Sequence, residues 1–157
     1  NDDLFIKGGA DKILKYPGLE ADDCLAIITD EIKTTFPHGK ITIITSDMDY
    51  LQLACENVEL YDLKYIKLTD RKSSYNNAEK DLFVKILTGD KSDNIEGVFK
   101  KCGPKTACKY FDNKELFEEK LKSVEGAMER FELNKKIIDF NEIPEDLVKN
   151  FLEKYNI

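Results

Sequence analysis

The chain reads as an α/β fold with a parallel sheet up to about residue 75, followed by an all-helical part. Three observations predict this. ITIIT (41–45) is a continuous β-branched apolar run of strand length, VELYDL (58–63) is a second strand-like run, and helix-patterned stretches alternate with them. Strands alternating with helices favour parallel pairing. Beyond Tyr75 the strand signals stop and only helical patterns remain.

Residues 12–19, KILKYPGL, form a short strand candidate broken by Pro17-Gly18. ADDCLAIITDEIKTT (21–35) places apolar residues at 24, 25, 27, 28 and 32, one face of a helix, and FPHGK stops it. The unbroken ITIIT run predicts a strand covered on both faces. After Asp47-Met48-Asp49, YLQLAC predicts a short helix, and VELYDL a further strand. AEKDLFVKILTG is an amphipathic helix closed by Gly89, and PKTACKYF opens another with Pro104 in its first turn. KELFEEKLKSVEGAMERF and IPEDLVKNFLEKY read as helices as well. The expected organisation is an α/β part over 1–75 and a helical region over 76–157.

The 157 residues suffice for one ordinary domain, burying about two-thirds of the unfolded surface. With 41% hydrophobic and 35% charged residues, no membrane-length apolar run and no signal-peptide pattern, the chain is expected to be intracellular, nuclear or cytoplasmic, with no membrane partner and as a monomer. Cys24, Cys55, Cys102 and Cys108 lack zinc-ligand spacing, so free thiols are expected. His38 is the only histidine and stands in a turn, which argues against histidine-based nucleophilic catalysis. The net charge of −7 describes a sum, not a distribution.

The acids are unevenly placed. GLEADD puts Glu20, Asp22 and Asp23 where a strand is expected to yield to a helix, and TSDMDY puts Asp47 and Asp49 at a second such junction. Parallel strands bring such junctions to one edge, where ligands of open α/β sheets bind. Any one of these acids is accounted for as a helix cap or dipole partner. Five together repel one another unless a cation joins them, and oxygen-only ligands suit Mg²⁺ or Mn²⁺. Asp90 and Asp93 extend the set if the helical part folds back over that edge. Such histidine-free clusters suit two-metal phosphoryl transfer. No GxxxxGKS loop is present, which disfavours nucleoside-triphosphate hydrolysis.

A basic segment follows directly. In KKCGPKTACKYF, Gly103 permits close backbone approach and Pro104 starts a helix whose first amides point outward. Lys105 and Lys109 share one helical face, and Lys100 and Lys101 flank the turn. Lysines alone also describe a solvated face; beside the acidic GDxxDN they point to DNA-backbone contact.

GLEADD (18–23), TSDMDYLQL (45–53), TGDKSDNIEGV (88–98) and CGPKTA (102–107), in that order and spacing, resemble the 5′ nuclease family: flap endonucleases, phage 5′–3′ exonucleases and the 5′ nuclease domain of DNA polymerase I. The resemblance implies a PIN-like parallel-sheet nuclease core and a helix–three-turn–helix DNA-binding part. It implies a structure-specific enzyme that cleaves DNA bearing a free 5′ end with Mg²⁺ or Mn²⁺, two ions in all. Glu20, Asp22, Asp23, Asp47, Asp49, Asp90 and Asp93 would be the metal ligands, with Asp22, Asp23, Asp47 and Asp49 catalytic. Lys100, Lys101, Gly103, Lys105, Thr106 and Lys109 would grip the duplex, around a K⁺ ion in some members. Lys101-Cys102-Gly103 stands where members read glycine–hydrophobic–glycine. The family's first-strand aspartate, a further aspartate and its basic helical arch have no counterpart here, which implies the C-terminal portion of a nuclease whose activity needs an N-terminal part. A DNA-binding portion without catalysis is the alternative, and a receiver-like or phosphatase α/β protein a third reading.

Overall fold

The computed structural model of the chain describes residues 2–157, with side chains from Leu4 onward. Its elements are α1 (Asp2–Lys7), α2 (Ala21–Thr35), β1 (Ile41–Ile44), β2 (Val58–Tyr61), α3 (Ala78–Thr88), α4 (Pro104–Asp112), α5 (Lys114–Ser123), α6 (Ala127–Ile138) and α7 (Glu145–Tyr155). A 3₁₀ helix, Met48–Leu53, follows β1. The chain divides into two compact units, residues 40–142 and residues 1–39 with 143–157.

In the first of these, β1 and β2 pair in parallel, Ile41 opposite Val58 and Ile44 opposite Tyr61. The expected parallel pairing is present, in a sheet of two strands. Coverage of ITIIT on both faces is not: Ile43 is buried, while Thr42 and Ile44 are exposed. The run is apolar in composition, but its period-two alternation buries a single face.

The helical core of this unit gathers Val84 and Leu87 of α3, Val98, Phe99, Ala107 of α4, Leu121 of α5 and Ala127 of α6. Phe83 packs edge-on against Phe117 at 5.1 Å and Phe111 at 5.5 Å, the offset geometry aromatic rings prefer. Asn77 caps α3 by accepting from the Lys80 N–H at 2.9 Å, and Asn113 caps α5 by accepting from Leu116 N–H at 3.0 Å. The long helix expected over 114–131 is two. Gly126, at φ +72°, breaks it in the left-handed conformation and starts α6.

The second unit packs Cys24, Ile27 and Ile28 of α2 against Phe151 of α7. The strand expected at 12–19 is irregular chain instead. The Lys15 backbone is satisfied by side chains: its N–H donates to the Tyr155 hydroxyl at 2.8 Å, and that hydroxyl and Lys154 Nζ donate to its carbonyl at 2.7 and 2.8 Å. Tyr16 stacks edge-on with Phe151 at 6.3 Å, so the apolar residues serve a helix pair rather than a sheet.

Candidate metal centre and basic turn

Within the unit spanning 40–142, the 3₁₀ helix after β1 presents the first acids. Asp47 caps it, accepting from Asp49 N–H at 3.0 Å, and Thr45 Oγ1 accepts from Asp47 N–H at 3.1 Å. Gln52 anchors the same helix, donating to Ile138 O at 3.0 Å and accepting from Phe140 N–H at 3.0 Å.

The next acids sit on a short closed loop after α3. Asp90 and Ile95 exchange two backbone hydrogen bonds, at 2.9 and 2.7 Å. Gly89 has φ +70°, and a Cβ there would lie 2.3 Å from the Ile95 carbonyl oxygen; one on Gly97 would lie 2.9 Å from Thr88 O. The glycines of GDKSDNIEG therefore serve the backbone's close approach to itself. Asn134 of α6, buried, locks both ends of the loop by donating to Ile86 O at 2.9 Å and Glu96 O at 2.8 Å. Val98 N–H completes the closure on Leu87 O at 2.9 Å.

This arrangement brings together Asp49, Asp90 and Asp93, each offering a carboxylate oxygen within 4.8 Å of the others. A cation already stands beside them. Lys85 Nζ, from the last turn of α3, donates to Asp90 Oδ2 at 2.7 Å and to Asp49 Oδ1. Asp90 also accepts from Ser92 N–H at 2.8 Å and Ser92 Oγ–H at 2.5 Å. The hydrogen bonds from Lys85 and Ser92 hold the Asp90 carboxyl well below the usual carboxylate range. Asp49 shares the same ammonium yet is raised, because its burial outweighs the bond and charge of Lys85. Burial also pulls Lys85 down, but its bonds to both aspartates prevail and its ammonium is held above the ordinary range.

Glu20, Asp22 and Asp23 lie in the other compact unit, at the head of α2. They form part of its cap: Asp23 accepts from Glu20 N–H at 2.9 Å and Asp22 from Asp23 N–H at 3.0 Å. Burial raises Asp23, the bond from Glu20 lowers it, and the neighbouring charge of Asp22 raises it again, for a net upward shift. The chain before Glu20 is not a strand, so these acids do not stand at a strand end.

The basic residues follow the acid loop within the same unit. Lys100, Lys101, Lys105, Thr106 and Lys109 are exposed, while Ala107 anchors α4 in the core. Gly103 precedes α4 at φ −92°, and a Cβ there would meet nothing within 4 Å. Lys101 adopts φ +61°, the left-handed conformation that favours glycine. Lys85 and Asn134 are the site residues that sequence reasoning missed. A lysine and an asparagine on charged helices read as solvated, and only the spacing of Lys85, five before Asp90, carried any signal.

The sequence over residues 6–83 matches the family model for the 5′-3′ exonuclease N-terminal resolvase-like domain. The ribonuclease H of Enterobacteria phage T4 is 30% identical over 151 residues, covering 87% of this chain and 48% of that protein. The DNA polymerase I of Treponema pallidum is 35% identical over 106 residues, covering 60% of this chain and 10% of the polymerase. This chain thus spans about half, or much less, of these relatives' own length. The solved flap endonuclease D15 of bacteriophage T5, in a complex with DNA and metal ions, superimposes with a TM-score of 0.74 at 18% identity, over 97% of this chain and 64% of that one. This likeness establishes a shared fold, a resolvase-like 5′ nuclease fold with a small parallel sheet and many helices. Four motifs in order, a matching family model and a shared fold agree, and the chain belongs to the 5′–3′ exonuclease and flap endonuclease family.

Proposed function

We propose that this chain is the metal-binding and DNA-gripping part of a structure-specific 5′ nuclease that hydrolyses DNA phosphodiesters with the help of two divalent ions. The convergence of Asp49, Asp90 and Asp93 carries the reading. Three hard oxygen donors around a position already attractive to a cation, the Lys85 ammonium, suit Mg²⁺ or Mn²⁺. In this reading Asp49, Asp90 and Asp93 hold one ion directly, and Asp47 adds to the ligand set, in part through water. Bound ions supply an acidified water and positive charge at the leaving oxygen.

The protein's own share is to hold the acids and the duplex in fixed register. Residues 76–157 act as the DNA-binding region, with a helix–three-turn–helix grip formed by Lys100, Lys101, Gly103, Lys105, Thr106 and Lys109. Gly103 supports this: the open space around it means the fold does not need a glycine there, whereas a phosphate approaching the head of α4 does. The substrate is DNA with a free 5′ end. Residues outside this chain complete the catalytic set, and a K⁺ ion at the turn is an optional further ligand.

The test is cleavage of a 5′-flap duplex by the complete protein in Mg²⁺. Asp90→Asn is expected to lower the rate by about a hundredfold or more with DNA binding retained. Lys105→Ala combined with Lys109→Ala is expected to weaken binding to all sequences alike and to reduce the slope of log affinity against log salt by about 2. Salt-sensitive binding with no Mg²⁺-dependent cleavage by the complete protein would replace this reading with that of a DNA-binding portion alone.

A further inference from the structure

Lys85 joins two of the three acids. Its Nζ bonds to both Asp49 and Asp90, and about a fifth of each side chain is exposed: 22% for Lys85, 20% for Asp49 and 22% for Asp90. The backbone of α3 fixes its root, since Lys85 O accepts from Gly89 N–H at 2.8 Å at the start of the acid loop. The two carboxylates that it joins belong to the three whose oxygens lie within 4.8 Å of one another.

We propose that Lys85 is a built-in counter-cation of the metal-free centre, which a divalent ion must displace and which thereby sets the centre's affinity. The inference rests on the metal-binding reading above. Without any cation, three carboxylates with oxygens within 4.8 Å would drive one another apart. The ammonium keeps them assembled. A divalent ion on the same carboxylates would face a like charge at a few ångströms in a half-buried site, where screening is weak. Two cations do not share the place comfortably, so binding the ion means releasing the lysine. A four-carbon stem ending in a compact point charge can swing out while its root stays on the helix. Lys85 thus preserves the geometry of the acids at the expense of their affinity for the ion. When released, its charge stays at the rim of the centre.

Calorimetric titration of the complete protein with Mn²⁺ tests this, using wild type, Lys85→Met and Asp90→Asn. Lys85→Met is expected to bind Mn²⁺ about tenfold more tightly, equivalent to about 1.4 kcal/mol. Equal or weaker binding by a folded Lys85→Met would overturn the role given to Lys85 and leave the metal centre standing. No Mn²⁺ binding by wild type, or binding untouched by Asp90→Asn, would sink the metal-binding reading itself, and this inference with it. Should Lys85→Met fail to fold, the wild type still decides. The NMR signals of the Lys85 ε-methylene group are expected to move to the values of a free lysine on saturation with Mg²⁺, and signals that stay put would refute displacement.

Discussion

At the scale of single residues, Gly89 carries the most exacting requirement. With φ +70° and 2.3 Å between a would-be Cβ and the Ile95 carbonyl, no side chain fits without moving backbone. Gly89→Ala is expected to destabilise the protein by about 2–4 kcal/mol, combining left-handed strain with overpacking, as measured by denaturant unfolding. The two aspartates that share Lys85 make opposite predictions. The Asp49 carboxyl stands above its ordinary 3.8, so it binds its proton more tightly when folded, and the stability it contributes declines as pH rises above that value. Relative to wild type, the stability of Asp49→Asn is therefore expected to rise with pH in the absence of metal. The Asp90 carboxyl stands below 3.8, so its contribution is present above that value and is lost as pH falls through its lowered pKa. Asp90→Asn is expected to be less stable at pH 7, with the deficit closing in acid. Melting curves of both variants against pH check the pair. Asp90 and Asp93 were legible in the sequence through their motif, whereas Lys85 offered only its spacing from Asp90, because a lysine on an amphipathic helix ordinarily reads as solvated.

At the scale of elements, the signals that worked were those with a local cause. A β-branched run made β1 and an alternating apolar–polar run made β2, Gly89 ended α3, and Pro104 opened α4. The readings that failed concerned stretches whose fate is decided by distant partners. Residues 12–19 look strand-like, yet Tyr155 and Lys154 claim the Lys15 backbone from about 140 positions away. The helical pattern runs on across SVEG, but Gly126 takes a left-handed turn there that periodicity does not register. The turn before α4 carries a cost of the same kind, since Lys101 holds φ +61°. Lys101→Gly is expected to stabilise the protein by about 0.5–1 kcal/mol, relief of the left-handed strain being partly offset by glycine's larger unfolded-state entropy, with thermal unfolding as the measurement. The same variant removes one exposed positive charge, so it is expected to bind DNA less well although it is more stable.

At the scale of the whole molecule, a chain of net charge −7 is repelled by DNA at long range, and in the proposed role a local concentration of lysines would have to draw it in. Ions held at Asp49, Asp90 and Asp93 would reduce that repulsion from within. Adding Ca²⁺ at constant ionic strength is therefore expected to strengthen DNA binding by wild type several-fold, and to leave Asp49→Asn with Asp90→Asn nearly unaffected. Fluorescence anisotropy of a labelled flap duplex measures both. A response identical in the two proteins would place the ion's effect elsewhere.

The amide of Asn134 reaches the carbonyls of Ile86 and Glu96 at once, and Val98 is bonded back to Leu87. Helix α3, the acid loop and the start of the basic turn are thereby riveted into one stiff bracket. A tug on the lysines after Phe99 would meet these bonds within residues 86–98 and would be passed towards Asp90. The grip would then do more than tether its ligand, because tension on one end of the bracket would be felt as a change of aim at the other.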